Sequence, residues 1–230
     1  MITIPEFDRS PYPIFLFSSL LLGVGLSCLF MKREKMNTGH IFLVAFLNII
    51  STFLVSTIFA GSNYFKPQTI GFDGLGGAAG LIGGTITSCF IFKDRWKSIL
   101  SSCIVPAPFM YSIAKIGCFL AGCCRGFEYD GILSVVYKGE SFFPAQLLDI
   151  IVFMLVFIVS VIVMVKVKDG KTVALFVVIA SGIARFLTDF ARLSHEGKVL
   201  SLRQIVILFA IGIAIIFYVL CNNKNKERDR

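Results

Sequence analysis

The segment Gly182-Ile-Ala-Arg185-Phe-Leu-Thr-Asp189-Phe-Ala-Arg192 places Arg, Asp and Arg at positions i, i+4 and i+7, a spacing that shares one face of a helix. Ionisable groups inside or at the rim of a membrane helix are costly, so they mark a site by default. Two guanidiniums with a carboxylate between them make a fork suited to phosphate. The surrounding elements decide whether phosphate, and so phospholipid, is a sensible ligand.

The chain has 230 residues, 56% of them hydrophobic, with a mean hydropathy of +0.83. That composition predicts an all-α integral membrane protein, a single polytopic domain over residues 1–230. The net charge of +8 would suggest nucleic acid in a soluble protein. Here the basic residues gather in short loops and in a tail at 222–230, where they set topology, so no nucleic-acid partner is expected. Glu6 and Asp8 occupy the place of a positive leader region, which argues against a cleavable signal peptide. Seven scattered cysteines do not suggest a disulfide framework.

Apolar runs of membrane-spanning length occur around 13–31, 41–60, 71–92, 99–121, 147–165, 172–190 and 202–221, which predicts seven transmembrane helices. Lys32, Arg33 and Lys35 follow the first run; Lys93, Arg95 and Lys97 follow the third; Lys166, Lys168 and Lys171 follow the fifth. The tail carries Lys224, Lys226, Arg228 and Arg230, whereas the loop 61–70 has only Lys66. The positive-inside rule then places the N-terminus outside and the C-terminus, with its basic tail, in the cytoplasm. In this orientation the unusual residues of the third, fourth and sixth runs fall at the outer face.

Each unusual segment has a plain structural reading beside the functional one. Gly76, Gly80 and Gly84 fit close helix packing of the small-xxx-small kind. Asp73 to Gly77 better suit a helix start that presents amides to an anionic head group. Lys115 can snorkel from a membrane edge, yet Gly117-Cys118-Phe-Leu-Ala-Gly122-Cys123-Cys124-Arg125-Gly126 reads as a substrate-lining turn. The cysteine spacing is not a familiar zinc pattern, and His195 is the only histidine on that side, so no metal site is expected. Phe143-Pro144-Ala-Gln146-Leu-Leu-Asp149 opens a helix in the ordinary way. Gln146 and Asp149 are either structural or orient Arg185 and Lys115.

Together these segments resemble the bacterial prolipoprotein diacylglyceryl transferases. The blocks that carry the likeness are Ala79-Gly80-Leu81, Lys115-Ile-Gly117-Cys118-Phe119, Pro144-x-Gln146-Leu-x-Asp149, Ser181-Gly182-x-x-Arg185-Phe186-x-x-Asp189-x-x-Arg192 and Leu200-Ser201-x-Arg203-Gln204. They appear in family order over roughly residues 71–210, and the Arg185 block is the most specific. The chain departs from the family pattern at several places. Ala78 stands where the family has His or Tyr, Lys115 replaces its first catalytic Arg, Cys118 and Ala121 replace two Asn, and Cys123 replaces a Glu. The loop at 122–146 is short beside the family's extramembrane head.

The resemblance implies a reaction and roles. Phosphatidylglycerol sits in the outer leaflet of the bacterial inner membrane, and the thiol of a lipobox cysteine in a precursor protein attacks its phosphate-bearing glycerol carbon. A thioether forms and glycerol phosphate leaves, with no cofactor required. Lys115 and Arg185 would stabilise the departing phosphate and Asp189 would orient the arginines. Arg192 would hold phosphate or peptide, and Gly117 and Gly126 would let backbone approach lipid. Gly80, Cys118, Gln146, Asp149 and Gln204 complete the expected substrate site. The thiol must ionise to attack; with Ala78 in place of His its base is unassigned, and Lys115 with a lowered pKa or a substrate phosphate oxygen are the candidates. Two alternatives compete: a phospholipid-binding membrane protein derived from the transferase fold without its chemistry, and, less favoured, a small-solute transporter.

Overall fold

The computed structural model describes residues 2–3, 11–62, 74–137, 139–193 and 199–228. Eight α-helices follow one another: α1 (Pro11–Arg33), α2 (Thr38–Ser62), α3 (Gly74–Ile91), α4 (Trp96–Ile104), α5 (Ala107–Leu120), α6 (Ala145–Lys166), α7 (Gly170–Asp189) and α8 (Leu202–Arg228). Among the described residues, six helical stretches are long and apolar enough to cross a membrane: Pro11–Arg33, Thr38–Ile58, Lys93–Leu120, Ala145–Lys166, Gly170–Asp189 and Arg203–Asn223. Gly76–Ile91 is a shorter apolar helix. Residues 71–73, and with them Asp73, lie outside the described residues, as do Glu6, Asp8, Lys66, His195 and Arg230. Large apolar side chains such as Phe42, Ile58, Phe90, Leu187 and Phe209 are exposed along these helices, as expected where lipid is the solvent.

Two elements differ from the sequence expectation. The run 99–121 is not one uninterrupted helix: α4 ends at Ile104 and α5 starts at Ala107. Pro106 has no N–H to give to the preceding turn, and its ring crowds that turn, so the helix closes with Val105 N donating to Ser101 O at 3.0 Å. The chain is also not wholly helical. β2 (Val135–Tyr137) and β3 (Glu140–Phe142) form an antiparallel pair, and β1 (Ile2–Thr3) joins β2 in parallel with Ile2 opposite Val135. Val-Val-Tyr is a good strand sequence, but three residues are too short a run for a pattern to show.

The chain packs as two compact units, residues 22–106 and residues 1–21 with 107–230. In the first, Met31, Met36, Ile41, Val44, Ile99 and Cys103 form a buried apolar cluster. There α3 lies directly against α2. A Cβ on Gly80 would come within 2.4 Å of Ser51 O, and one on Gly84 within 2.3 Å of Ser51 Oγ. Ser51 Oγ donates to Gly80 O at 2.8 Å and Thr85 Oγ1 to Asn48 Oδ1 at 3.0 Å. These glycines are packing residues of the small-xxx-small kind, and Gly80, expected at the substrate, meets α2 instead. In the second unit α5, α6 and α7 pack side by side, with Ser112 Oγ donating to Ile150 O at 2.9 Å. The charged residues gather there.

Candidate active site

Asp149, on the second turn of α6, is the centre of the charged cluster. Its carboxylate is fully buried and faces three cations from two directions: Lys115 Nζ of α5 at 3.5 Å, Arg185 Nη1 of α7 at 3.7 Å, and the Arg192 guanidinium, which donates to it directly. Asp189, also fully buried, faces Arg185 Nη2 at 3.4 Å and Arg192 Nε at 4.0 Å. Three cations against two carboxylates leave a formal surplus of one positive charge. Isolated charges are too costly to bury alone, so each carboxylate is what permits its neighbouring cations to sit inside. Asp189 faces both arginines, as expected of it, and Asp149 faces them together with Lys115. Asp149 carries the larger share, because the α5–α6 packing brings it under Lys115 and Arg185 together.

One correction concerns Arg192. The helix face i, i+4, i+7 requires α7 to continue, but α7 ends at Asp189. Arg192 lies beyond it, bridged in antiparallel fashion to Gly126, with Arg192 N bonded to Asp189 O at 3.1 Å and Leu193 N to Arg125 O at 3.3 Å. The chain continues past the α-helix in tighter i to i−3 turns, Phe190 N to Leu187 O, Ala191 N to Thr188 O and Arg192 N to Asp189 O, and these carry the Arg192 side chain to the cluster. Gly126 makes the bridge possible. A Cβ there would lie 2.4 Å from Phe143 O and 2.8 Å from Ala191 O. Gly117 is filled in the same way, by Phe15 Cβ at 2.9 Å. Both glycines bring protein close to protein, which replaces the lipid approach expected of them.

Gln204 and Gln146 are likewise committed to the protein. Ser201 caps α8: its Oγ accepts from Gln204 N at 3.2 Å while Gln204 Oε1 accepts from Ser201 N at 2.8 Å, a capping box. Gln204 Nε2 also donates to Phe186 O at 3.2 Å, and Ser201 Oγ donates to Asp189 Oδ2 at 2.5 Å. The buried Gln204 thus ties α7 to α8. Gln146 Nε2 donates to Cys123 O at 2.5 Å and fixes the turn after α5.

That turn has Gly122 at φ +62° and Cys124 at φ +58°, the latter a rare conformation for a residue with a Cβ. It brings the Sγ atoms of Cys118, Cys123 and Cys124 within 4.8 Å of one another. Hydrogen bonds from Cys118 and Cys123, then the charges of Lys115 and Arg192, draw the exposed Cys124 thiol well below its ordinary pKa. Beside it opens a cleft of about 430 Å³ lined by Cys124, Arg125, Arg192, Leu193 and Arg203.

Sequence reasoning did not single out Tyr111, and it named Arg125 only within the substrate-lining turn. Tyr111 OH accepts from Arg192 Nη2 at 3.4 Å and stands 3.5 Å from Asp149 Oδ2. Its ring lies 5.2 Å from Lys115 Nζ and 5.8 Å from Arg185 Cζ. The i, i+4 pairing of Tyr111 with Lys115 was the available signal. Arg125 stacks on Tyr137 at 4.0 Å and Phe142 at 4.9 Å, so the small sheet aims a third guanidinium at the cleft.

A buried, net-positive cluster beside an arginine-lined cleft is built to meet an anion. The prolipoprotein diacylglyceryl transferase family matches residues 1–220. The chain belongs to that family. It is 29% identical over 238 residues to phosphatidylglycerol–prolipoprotein diacylglyceryl transferase 2 of Clostridium perfringens, covering 91% of each chain. It is 28% identical to the phosphatidylglycerol–prolipoprotein diacylglyceryl transferase of Clostridium tetani, over 81% of this chain and 83% of that one. A protein of the same name from Dehalococcoides mccartyi is 31% identical over about half of each chain, 52% and 49%. For a diacylglyceryl transferase, the chemistry to explain is how a phosphate leaves and how a thiol arrives.

Proposed function

We propose that this membrane enzyme transfers the diacylglyceryl group of phosphatidylglycerol to the thiol of a lipobox cysteine in a precursor protein, forming a thioether. It would work in the bacterial inner membrane as one polytopic domain of seven spans, N-terminus outside and basic tail 222–230 in the cytoplasm, on lipid of the outer leaflet. Cleavage of the carbon–oxygen bond leaves charge on glycerol phosphate, and Arg185 and Lys115 stabilise it. Arg192, Asp149 and Asp189 position them, and Arg125 and Arg203 draw the head group into the cleft.

One observation carries this reading. Arg185 is the most open of the three clustered cations, its side chain 17% exposed against 8% for Lys115 and 3% for Arg192. Its buried Nη1 stands 3.7 Å from Asp149 Oδ1, an ion pair without a hydrogen bond. Such a loosely held guanidinium, open on its other side, keeps donors to offer a phosphate oxygen. The test is mass spectrometry of a lipobox peptide incubated with the purified protein and phosphatidylglycerol. A mass gain of one diacylglyceryl unit on the cysteine is expected. Lipid bound without any peptide product would overturn the transferase reading in favour of a binding protein.

A further inference from the structure

The charge cluster accounts for the leaving phosphate, and its one amine, Lys115, is paired as a cation with Asp149 at 3.5 Å, so it offers the acceptor thiol no base. Ala78 stands where the resemblance would put a His. The three-cysteine turn is the chemistry so far unused. Cys118 is buried on the last turn of α5, Cys123 is half-buried and Cys124 is exposed, so the cluster opens to one side, beside the cleft. The turn is fixed by three independent features: Gly122 in the left-handed region, Cys124 held there despite its side chain, and the buried Gln146 amide on Cys123 O. Four zinc–sulfur bonds of about 2.3 Å in a tetrahedron put sulfurs about 3.8 Å apart. The observed separations, none above 4.8 Å, close to that by small side-chain rotations.

We propose that Cys118, Cys123 and Cys124 form a zinc site whose open fourth position takes the acceptor thiol. Three protein ligands with one open place is the arrangement of catalytic rather than structural zinc, and soft thiolates select such an ion over magnesium or calcium. Three thiolates on Zn²⁺ carry one net negative charge, which Lys115 and Arg192 nearby offset. The inference rests on the transferase reading for its substrate, not for the metal. In the step itself the acceptor R–SH displaces a zinc-bound water and binds as thiolate, since a coordinated thiol is deprotonated; its proton passes to water. The sulfur lone pair forms the bond to the glycerol carbon while the carbon–oxygen bond breaks, its electron pair leaving with glycerol phosphate. The product thioether is neutral and a weak ligand, so water replaces it. No oxidant or reductant is needed.

The test uses the full chain purified under reductant, freed of metal with a chelator and loaded with Zn²⁺ or with Co²⁺ as a spectroscopic probe. One tightly held metal per chain is expected, with the intense visible bands of tetrahedral thiolate-bound Co²⁺, perturbed when a thiol peptide is added. Cys124→Ser, at an exposed position that leaves the helices untouched, should lower affinity at least tenfold. Cys118→Ser should do the same where gel filtration shows intact protein. Cys221→Ser, outside the cluster, should not. Metal at less than one equivalent, or binding indifferent to Cys124→Ser, would overturn the site. A cobalt spectrum blind to the thiol peptide would overturn the activating role. Normal metal binding and a peptide-sensitive spectrum without any peptide product would uphold the zinc site and sink the transferase reading instead.

Discussion

The residues divide by how far each is committed to protein. Asp149 holds three cations, so Asp149→Asn would strip a buried cluster of half its negative charge. Losing one partner of a buried ion pair costs about 3–5 kcal/mol, and a marked fall in the thermal midpoint of the detergent-solubilised protein is expected. A midpoint within a degree of wild type would show that the cluster does not depend on it. Lys115 behaves differently under the two readings of its charge. Lys115→Gln keeps length and polarity but loses the charge, so a snorkelling anchor would survive it while a residue that stabilises departing phosphate would not. Turnover is expected to fall at least tenfold with phosphatidylglycerol binding reduced less, and Lys115→Arg is expected to retain activity. Wild-type turnover in Lys115→Gln would remove Lys115 from the chemistry. Arg185, Asp189 and Lys115 were legible because ionisable groups in apolar runs are conspicuous. The gathering of the three cysteines was not, because it depends on two residues with positive φ, Gly122 and Cys124.

The elements explain why some positions were misjudged from sequence. The i, i+4, i+7 rule takes α7 on to Arg192, whereas the α-helix stops at Asp189 and tighter i to i−3 turns lead to an arginine bridged to Gly126. Pro106 breaks an apolar run that hydropathy alone reads as continuous. The pattern Ser-x-x-Gln at 201–204 was attributed to substrate, yet it is a helix-start signature in its own right. Its loss has a measurable consequence. Ser201→Ala removes the cap, worth about 1 kcal/mol, and also the hydrogen bond to Asp189, so Asp189 becomes freer to move. Stability should drop modestly and turnover should drop further than stability explains. Equal activity at equal folded protein would confine Ser201 to capping. At Gly84, where α2 leaves no room, Gly84→Leu is expected to lower the yield of folded protein in the membrane without a specific effect on kinetics.

At the scale of the whole molecule, the membrane class was legible from composition, since apolar runs of the right length need no tertiary knowledge. The three-stranded sheet was not, because strands of two and three residues carry no periodicity. Orientation rests on the alternating basic loops. With the native cysteines replaced, a cysteine introduced at Ser141 should react with an impermeant maleimide added outside intact cells, and one at Lys93 should not; the reverse pattern would put the cluster on the cytoplasmic side. In the proposed reaction the positive cluster around Arg185 drives phosphate departure. Glycerol phosphate released from phosphatidylglycerol, in the presence of a lipobox peptide, measures that event directly. The wild-type protein should release one equivalent per thioether formed. Arg185→Ala, folded and present at equal amount, should be slower by a hundredfold or more, the about 3–4 kcal/mol that one donor aimed at developing charge supplies. Release by Arg185→Ala at the wild-type rate would contradict it.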